Sequence, residues 1–158
     1  MGAGGEGVMR VHAGGRGGGE RGRRAGAGGL AGVVDVTAHE RADLPIGGVF
    51  GAGDGRLRAA GKAGLAQVVV PGAIDHAKFW VGRVTDEFKD RGFFQFNKTN
   101  ILMRTNADEF EVLGRIMADR LNEAEGPFVV IIPTRGFSEH TKLMTHDIEG
   151  KETGPWKQ

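Results

Sequence analysis

The sequence predicts an α/β fold with a mostly parallel sheet. After residue 33, short β-rich runs alternate with helical patterns, and this alternation is typical of βαβ units. A run of five apolar residues, 128–132, follows an amphipathic helix directly. Such a run suits a strand that helices cover on both faces, so Ile131 is expected to be buried and Ile131→Ala to destabilise the protein by about 2–5 kcal/mol. The length allows one such domain.

The other predicted elements are short. A helix is expected at residues 56–63, capped by Asp54. The remaining strands are runs rich in β-branched or aromatic residues, at 33–36, 67–70, 93–96 and 101–103. A polar turn at 97–100 separates the last two runs, which predicts that they pair in antiparallel fashion.

The clearest helix begins at Asn106. Its side chain can accept a hydrogen bond from the first turn, and Glu109 completes a capping-box pattern. Gly126 and Pro127 are expected to end this helix. Apolar residues recur along it at helical spacing and predict a core-facing stripe: Phe110, Leu113, Ile116, Met117 and Leu121.

Residues 1–32 differ from the rest in composition. They hold 14 of the 29 glycines and five Arg against two Glu, with little apolar surface to offset the entropy of ordering. We expect this segment to be largely flexible, residues 1–10 to make few tertiary contacts, and the ordered α/β domain to span 33–158. The stretch HAGGRGGGE, residues 12–20, could offer backbone N–H groups to an anion, although it lacks the Lys-Ser/Thr ending of a Walker loop.

The overall composition excludes several functional classes. The 158 residues carry a net charge of +1 and no cysteine, which excludes disulfides, thiolate metal sites and a cysteine nucleophile. This charge gives no reason to expect a nucleic acid or an anionic membrane as partner. The sequence shows neither a bilayer-spanning apolar run nor a signal peptide, so a cytoplasmic protein is expected. Apolar periodicity is lost after Pro133, and the α/β unit is expected to be truncated at its C-terminal end.

Polar and glycine residues follow three predicted strands. Ligands of open parallel sheets bind beyond the carboxyl ends of the strands, where these residues would meet. The glycines would admit a ligand close to the backbone, and a guanidinium could pair with a phosphate or carboxylate. Turn and cap roles for the same residues are the alternative. The residues are Thr37, His39 and Glu40, then Gly72, Asp75 and His76, and finally Thr134, Arg135, Gly136 and Ser138.

Metal and nucleophile signals are weaker. The pairs His39-Glu40, Asp75-His76 and His146-Asp147, together with His140, could supply ligands, but their spacing matches no recognised metal motif. Ser138 is not part of a Gly-x-Ser-x-Gly elbow. The sequence therefore identifies a candidate crevice without a catalytic group.

Four phrases, in order along the chain, resemble the second half of the Tm-one-like ATP-binding family. They are GVVDVTAHERADLPIGGVFGAG, AAGKAGLAQVVVPGAIDHAKF, LMRT and GPFVVIIPTRGFS, and the resemblance covers about residues 11–156. It implies a Rossmann-like half whose partner would be the family's N-terminal α/β half, absent here. A second copy of the chain, in a homo-oligomer, is the other partner considered.

The resemblance implies a module that binds ATP, with Mg²⁺, and it implies roles for particular residues. Asp75 would contact the ligand or the metal ion. The other implied binding residues are Gly15, Gly17, Gly18, Thr37, Glu40, Gly72, Arg104, Thr105, Arg135, Gly136 and Ser138. Two alternatives stay open: an enzyme that acts on a phosphorylated or carboxylated metabolite, and a protein-interaction domain or inactive fragment.

Overall fold

A computed structural model of the chain describes residues 8–12, 30–49, 51 and 55–142. It contains a four-stranded parallel sheet and a three-stranded antiparallel sheet, flanked by helices. The predicted α/β class is confirmed. Within these residues, every helix is too short or too polar to cross a membrane.

The described part of the chain contains seven strands and three α-helices. In chain order they are β1 (Val8–His12), β2 (Leu30–Thr37), α1 (His39–Ile46), α2 (Ala59–Lys62), β3 (Ala66–Gly72), β4 (His76–Trp80), β5 (Phe93–Gln95), β6 (Asn100–Arg104), α3 (Ala107–Asn122) and β7 (Phe128–Val130), with 3-10 helices at Asp86–Phe88 and Glu139–Lys142.

The parallel sheet has the strand order β1-β2-β3-β7. The strands are added in one direction across the sheet, in the order in which they occur in the chain. In open α/β sheets, ligands often bind where this direction changes, and the described strands alone do not form such a point. In the register, Asp35 of β2 lies beside Val69 of β3, and Val69 beside Val130 of β7. These three side chains share the face of the sheet on which Val69 packs against Met117 of α3.

The antiparallel sheet has the order β4-β6-β5, which confirms the predicted antiparallel pairing of β5 and β6. One of its faces belongs to the main core. Phe79, Phe93 and Met103 are buried there with residues of α1 and with Leu113 of α3. This core holds the antiparallel sheet against the helices, and β4 follows β3 after only a three-residue turn.

Helix α3 confirms the predicted start at Asn106. The Asn106 side chain accepts from the Glu109 N–H at 2.8 Å, and the Glu109 carboxylate accepts from the Asn106 N–H at 2.8 Å. Leu113, Met117 and Leu121 are buried, as the apolar stripe predicted. The helix ends at Asn122, before the glycine and proline expected to stop it.

Two boundaries differ from the sequence prediction. Strand β1 pairs with β2 in parallel, so the expectation that residues 1–10 make few contacts is wrong for residues 8–10. That expectation considered side-chain burial and neglected backbone pairing with β2. The helix predicted at 56–63 is only Ala59–Lys62, because Leu57 adopts φ +67°, which an α-helix does not accommodate. The flexible segment 1–32 otherwise stays a prediction, and Asp54 and residues 13–29 lie outside the described residues.

The apolar run 128–132 is less buried than predicted. Among the described strands, β7 lies at the edge of the parallel sheet. Val129 in this strand is 50% exposed, and Ile131, just beyond it, is 52% exposed. A cavity of about 390 Å³, lined partly by Phe110 and Met117, lies between β7 and α3. The prediction of a strand covered on both faces is therefore wrong for the described structure, although β7 does pair in parallel with β3.

This exposure reduces the loss of stability expected for Ile131→Ala. We expect Leu113→Ala, in the main core, to lower the free energy of unfolding by about 2–5 kcal/mol, and Ile131→Ala to lower it by less than about 1 kcal/mol. Urea denaturation of both variants checks this difference. Equal losses would show that the edge strand is buried in solution.

Candidate functional site

Three segments meet beyond the carboxyl end of β3. In the turn after β3, Ala73 adopts φ +57°, an uncommon conformation for a residue with a side chain. Its N–H donates to the Phe137 carbonyl at 2.7 Å. On the other side, the Thr105 N–H donates to the Asp75 carbonyl at 3.0 Å and the Thr105 hydroxyl to the Ile74 carbonyl at 2.9 Å. Backbone bonds thus fix this turn to the segments that follow β6 and β7.

The Asp75 carboxylate is the centre of this junction. The Asp75 residue is 1% exposed. Its Oδ2 accepts from the Ser138 hydroxyl at 2.8 Å and lies 3.7 Å from Nη1 of Arg104. Its Oδ1 lies 3.3 Å from Nδ1 of His76. Because both oxygens have protein partners, Asp75 joins the loop after β3 to the loop after β7.

Arg104 is the buried cation of this group. Burial lowers the pKa of Arg104, and the nearby Asp75 carboxylate opposes that shift. The backbone of Arg104 is fixed as well, since the Arg91 guanidinium donates to its carbonyl. Arg91 also forms a bidentate pair with Glu109, at 2.8 and 2.7 Å. Glu109, which completes the capping box of α3, thereby helps to position Arg104 through Arg91.

Gly72 has a structural reason to be a glycine. A Cβ at this position would lie 2.5 Å from the Val36 carbonyl oxygen of the neighbouring strand. The group that approaches Gly72 is therefore protein backbone, whereas the sequence suggested that a ligand would come close. Nearby, Thr37 is half-buried at the end of β2, and its carbonyl accepts from the Arg56 guanidinium.

The predicted residues of the last loop lie at the same junction. Ser138 binds Asp75, whereas Arg135 is exposed. Gly136 adopts φ +124°, a region that favours glycine. The structure thus brings together Asp75, Arg104, Thr105 and Ser138. Gly15, Gly17 and Gly18 lie outside the described residues, and only the backbone of Glu40 is described, in α1.

A second buried charge network was not predicted from the sequence. Asp35 on β2 accepts two hydrogen bonds from the Arg56 guanidinium, one of them at 2.6 Å. Arg120 of α3 in turn donates to the Arg56 carbonyl at 3.0 Å. A carboxylate between Val34 and Val36 in a predicted strand was the one available signal, since strand alternation places it on the opposite face from its neighbours.

The described residues include no group of three or more His, Asp or Glu side chains placed to hold a metal ion. A magnesium ion at Asp75 would have to compete with Ser138, His76 and Arg104 for the carboxylate oxygens. The geometry therefore fits a role for Asp75 in positioning the loops better than direct metal binding.

Comparison with known proteins places this domain in a family. Residues 1–152 match the C-terminal domain of an uncharacterised protein family, UPF0261. The chain belongs to this family. A UPF0261 protein of Clostridium tetani is 39% identical over 132 residues, covering 83% of this chain and 33% of that protein. One of Mesorhizobium japonicum is 38% identical over 143 residues, covering 90% and 34%.

The tomato relatives are more distant from this UPF0261 domain. The ToMV resistance protein Tm-1(GCR237) of Solanum lycopersicum is 31% identical over 110 residues, covering 69% of this chain and 15% of that protein. The resemblance seen in the sequence is thus confirmed for a C-terminal domain, with UPF0261 as the family shown. The chain spans about a third of the length of the bacterial relatives described above.

Proposed function

We propose that this UPF0261 domain binds the phosphate groups of a nucleotide through residues 134–138, named here the Arg135 loop. One observation carries the proposal: a fixed junction holds this loop at the carboxyl end of the parallel sheet while Arg135 itself stays exposed. ATP is the nucleotide that the resemblance of the sequence implies.

The loop has the chemistry that phosphate binding needs. An exposed guanidinium can form two parallel hydrogen bonds with phosphate oxygens. Backbone N–H groups in such a turn can add further donors. Because the loop is fastened by the Ser138–Asp75 and Ala73–Phe137 bonds, little ordering entropy would be lost on binding.

Asp75 and Arg104 have supporting roles in this proposal. Arg104 is buried and faces Asp75, so its charge offsets the carboxylate and is not directed to the ligand. The Ser138 hydroxyl donates a hydrogen bond to the Asp75 carboxylate, and this bond fastens the loop to the turn after β3. The site therefore supports binding, with the ligand held by Arg135 and the loop backbone.

Removing the Arg135 guanidinium tests the proposal. We expect Arg135→Gln to weaken ATP binding about tenfold, which corresponds to about 1.4 kcal/mol, because a charge-assisted hydrogen bond is lost. Isothermal titration calorimetry of the full chain, with and without Mg²⁺, measures the dissociation constant. Arg115→Gln is the matched control, since it removes one exposed cation from α3, far along the chain from the loop.

The control defines the outcome that contradicts the proposal. If Arg135→Gln and Arg115→Gln give the same ATP affinity as the wild type within about twofold, the Arg135 loop does not bind phosphate. Equal weakening by both variants would indicate a general charge effect and would also contradict a local site.

A further inference from the structure

One face of the antiparallel sheet carries aromatic rings next to the Asp75 junction. In this sheet His76 lies beside Arg104, and Phe94 beside Leu102, two residues before Arg104. Side chains in register share a face, and residues two apart along a strand return to that face. His76, Arg104 and Phe94 therefore lie on one face. Phe96, two residues beyond Phe94, continues it, because its N–H still donates to β6 at the Asn100 carbonyl.

His140 completes this aromatic group from the last 3-10 helix. Its ring stacks on Phe94 at a centroid distance of 5.2 Å and an interplanar angle of 21°. It meets Phe96 nearly at a right angle, at 5.4 Å and 80°, and approaches His76 at 6.3 Å. We name Phe94, Phe96 and His140 the ring shelf. Phe96 is 54% exposed, so part of the shelf is open to solvent.

The shelf contains an unmet hydrogen-bonding group. Nδ1 of His140 is buried and has no hydrogen-bond partner among the described residues. A buried polar atom in this state is uncommon in folded proteins, because its lost hydration is not replaced. The polar edge of a ligand ring, reached by a small rotation of the imidazole, would supply the missing bond.

His140 connects the shelf to the Arg135 loop, because both belong to one continuous segment. Ser138 is bound to Asp75, and His140 comes two residues later. The five steps from Arg135 to His140 limit their Cα separation to about 18 Å. One nucleoside triphosphate can therefore contact the shelf with its base and the Arg135 side chain with its phosphates.

We propose that the ring shelf stacks the planar heterocyclic base of the nucleotide whose phosphates bind at the Arg135 loop. This inference rests on the proposed function and adds a second recognition element to it. Aromatic side chains stack on bases through their π faces, and an open ring at the end of a strand offers such a face. The near-perpendicular Phe96 and His140 rings form a corner against which a flat base can pack.

Two probes separate base recognition from phosphate recognition. Phe96→Leu is titrated with ATP and with inorganic triphosphate, which lacks the base. We expect ATP to bind about tenfold more weakly to this variant, equivalent to about 1.4 kcal/mol, and inorganic triphosphate to bind as it does to the wild type. Phe96→Trp should retain ATP affinity, because the larger ring still stacks. Val112→Ala, at an exposed apolar position on α3, should leave both affinities unchanged.

Each other result overturns a defined part of the account. If Phe96→Leu leaves ATP affinity unchanged within about twofold while Arg135→Gln still weakens both probes, the ring shelf inference is wrong and the phosphate site stands. Equal weakening of both probes by Phe96→Leu would also overturn base stacking. A wild-type chain that binds neither probe would overturn the shelf and the proposed function together.

Discussion

Asp35→Ala is expected to lower the free energy of unfolding by about 3–5 kcal/mol. Asp35 accepts two hydrogen bonds from Arg56, and both side chains are buried. Removing the carboxylate leaves the guanidinium inside the protein without the charge that offsets its lost hydration. The damage should extend to the packing of α3, because Arg120 donates to the Arg56 carbonyl.

Urea denaturation with matched variants isolates this buried pair. Asp35→Asn keeps the shape of the side chain and one acceptor oxygen, but it removes the charge and the second acceptor, so we expect a smaller but measurable loss of stability. Glu111→Ala breaks an exposed i,i+4 pair with Arg115, and its effect should stay within about 0.5 kcal/mol. An Asp35→Ala protein as stable as Glu111→Ala would contradict the buried-pair account.

Asp75→Ala is expected to have an effect of similar size, about 3–5 kcal/mol, for the same physical reason. The variant loses the bond from Ser138 and leaves the buried Arg104 guanidinium without the carboxylate 3.7 Å away. It should also loosen the Arg135 loop, because Asp75 fastens that loop through Ser138.

Ser138→Ala separates the two contributions of Asp75. This variant removes one hydrogen bond to a charged acceptor and leaves the Asp75–Arg104 pair, so a loss of about 1.5–3 kcal/mol is expected. Urea denaturation measures both variants. If Asp75→Ala is no less stable than Ser138→Ala, the pair with Arg104 contributes nothing and this part of the account is wrong.

Local patterns predicted the elements that local bonds define. The start of α3 follows from Asn106 and Glu109, whose side chains bond to backbone groups only three residues away. Antiparallel pairing of β5 and β6 follows from the polar turn between two apolar runs. In both cases the partners are close in sequence, so the residues themselves carry the information.

Features set by distant partners could not be predicted in this way. Asp35 and Arg56 are 21 residues apart, and no pattern around either residue specifies the other. The exposure of Ile131 depends on β7 lying at the edge of the sheet among the described strands. Edge and centre strands can have the same apolar composition, so composition alone predicted burial incorrectly.

The candidate site was also predictable only in part. The rule that ligands bind beyond the carboxyl ends of parallel strands predicted that Asp75 and Ser138 lie close together. In the structure the Ser138 hydroxyl lies 2.8 Å from Oδ2 of Asp75, although the two residues are 63 positions apart in sequence. The rule could not show that the carboxylate faces inward while Arg135 stays exposed. The accessibility of the Asp75 carboxylate depends on the Arg104 and His76 side chains beside it, and this arrangement exists only in the folded chain.

Hydrogen exchange of the Arg135 loop with and without saturating ATP tests the central claim most directly. If the phosphates bind at this loop, the backbone amides of residues 135–138 should exchange more slowly when ATP is present, and those of residues 111–115 in the middle of α3 should not change. Unchanged exchange at residues 135–138 under saturating ATP, or slower exchange confined to the apolar edge at 128–132, would contradict the account.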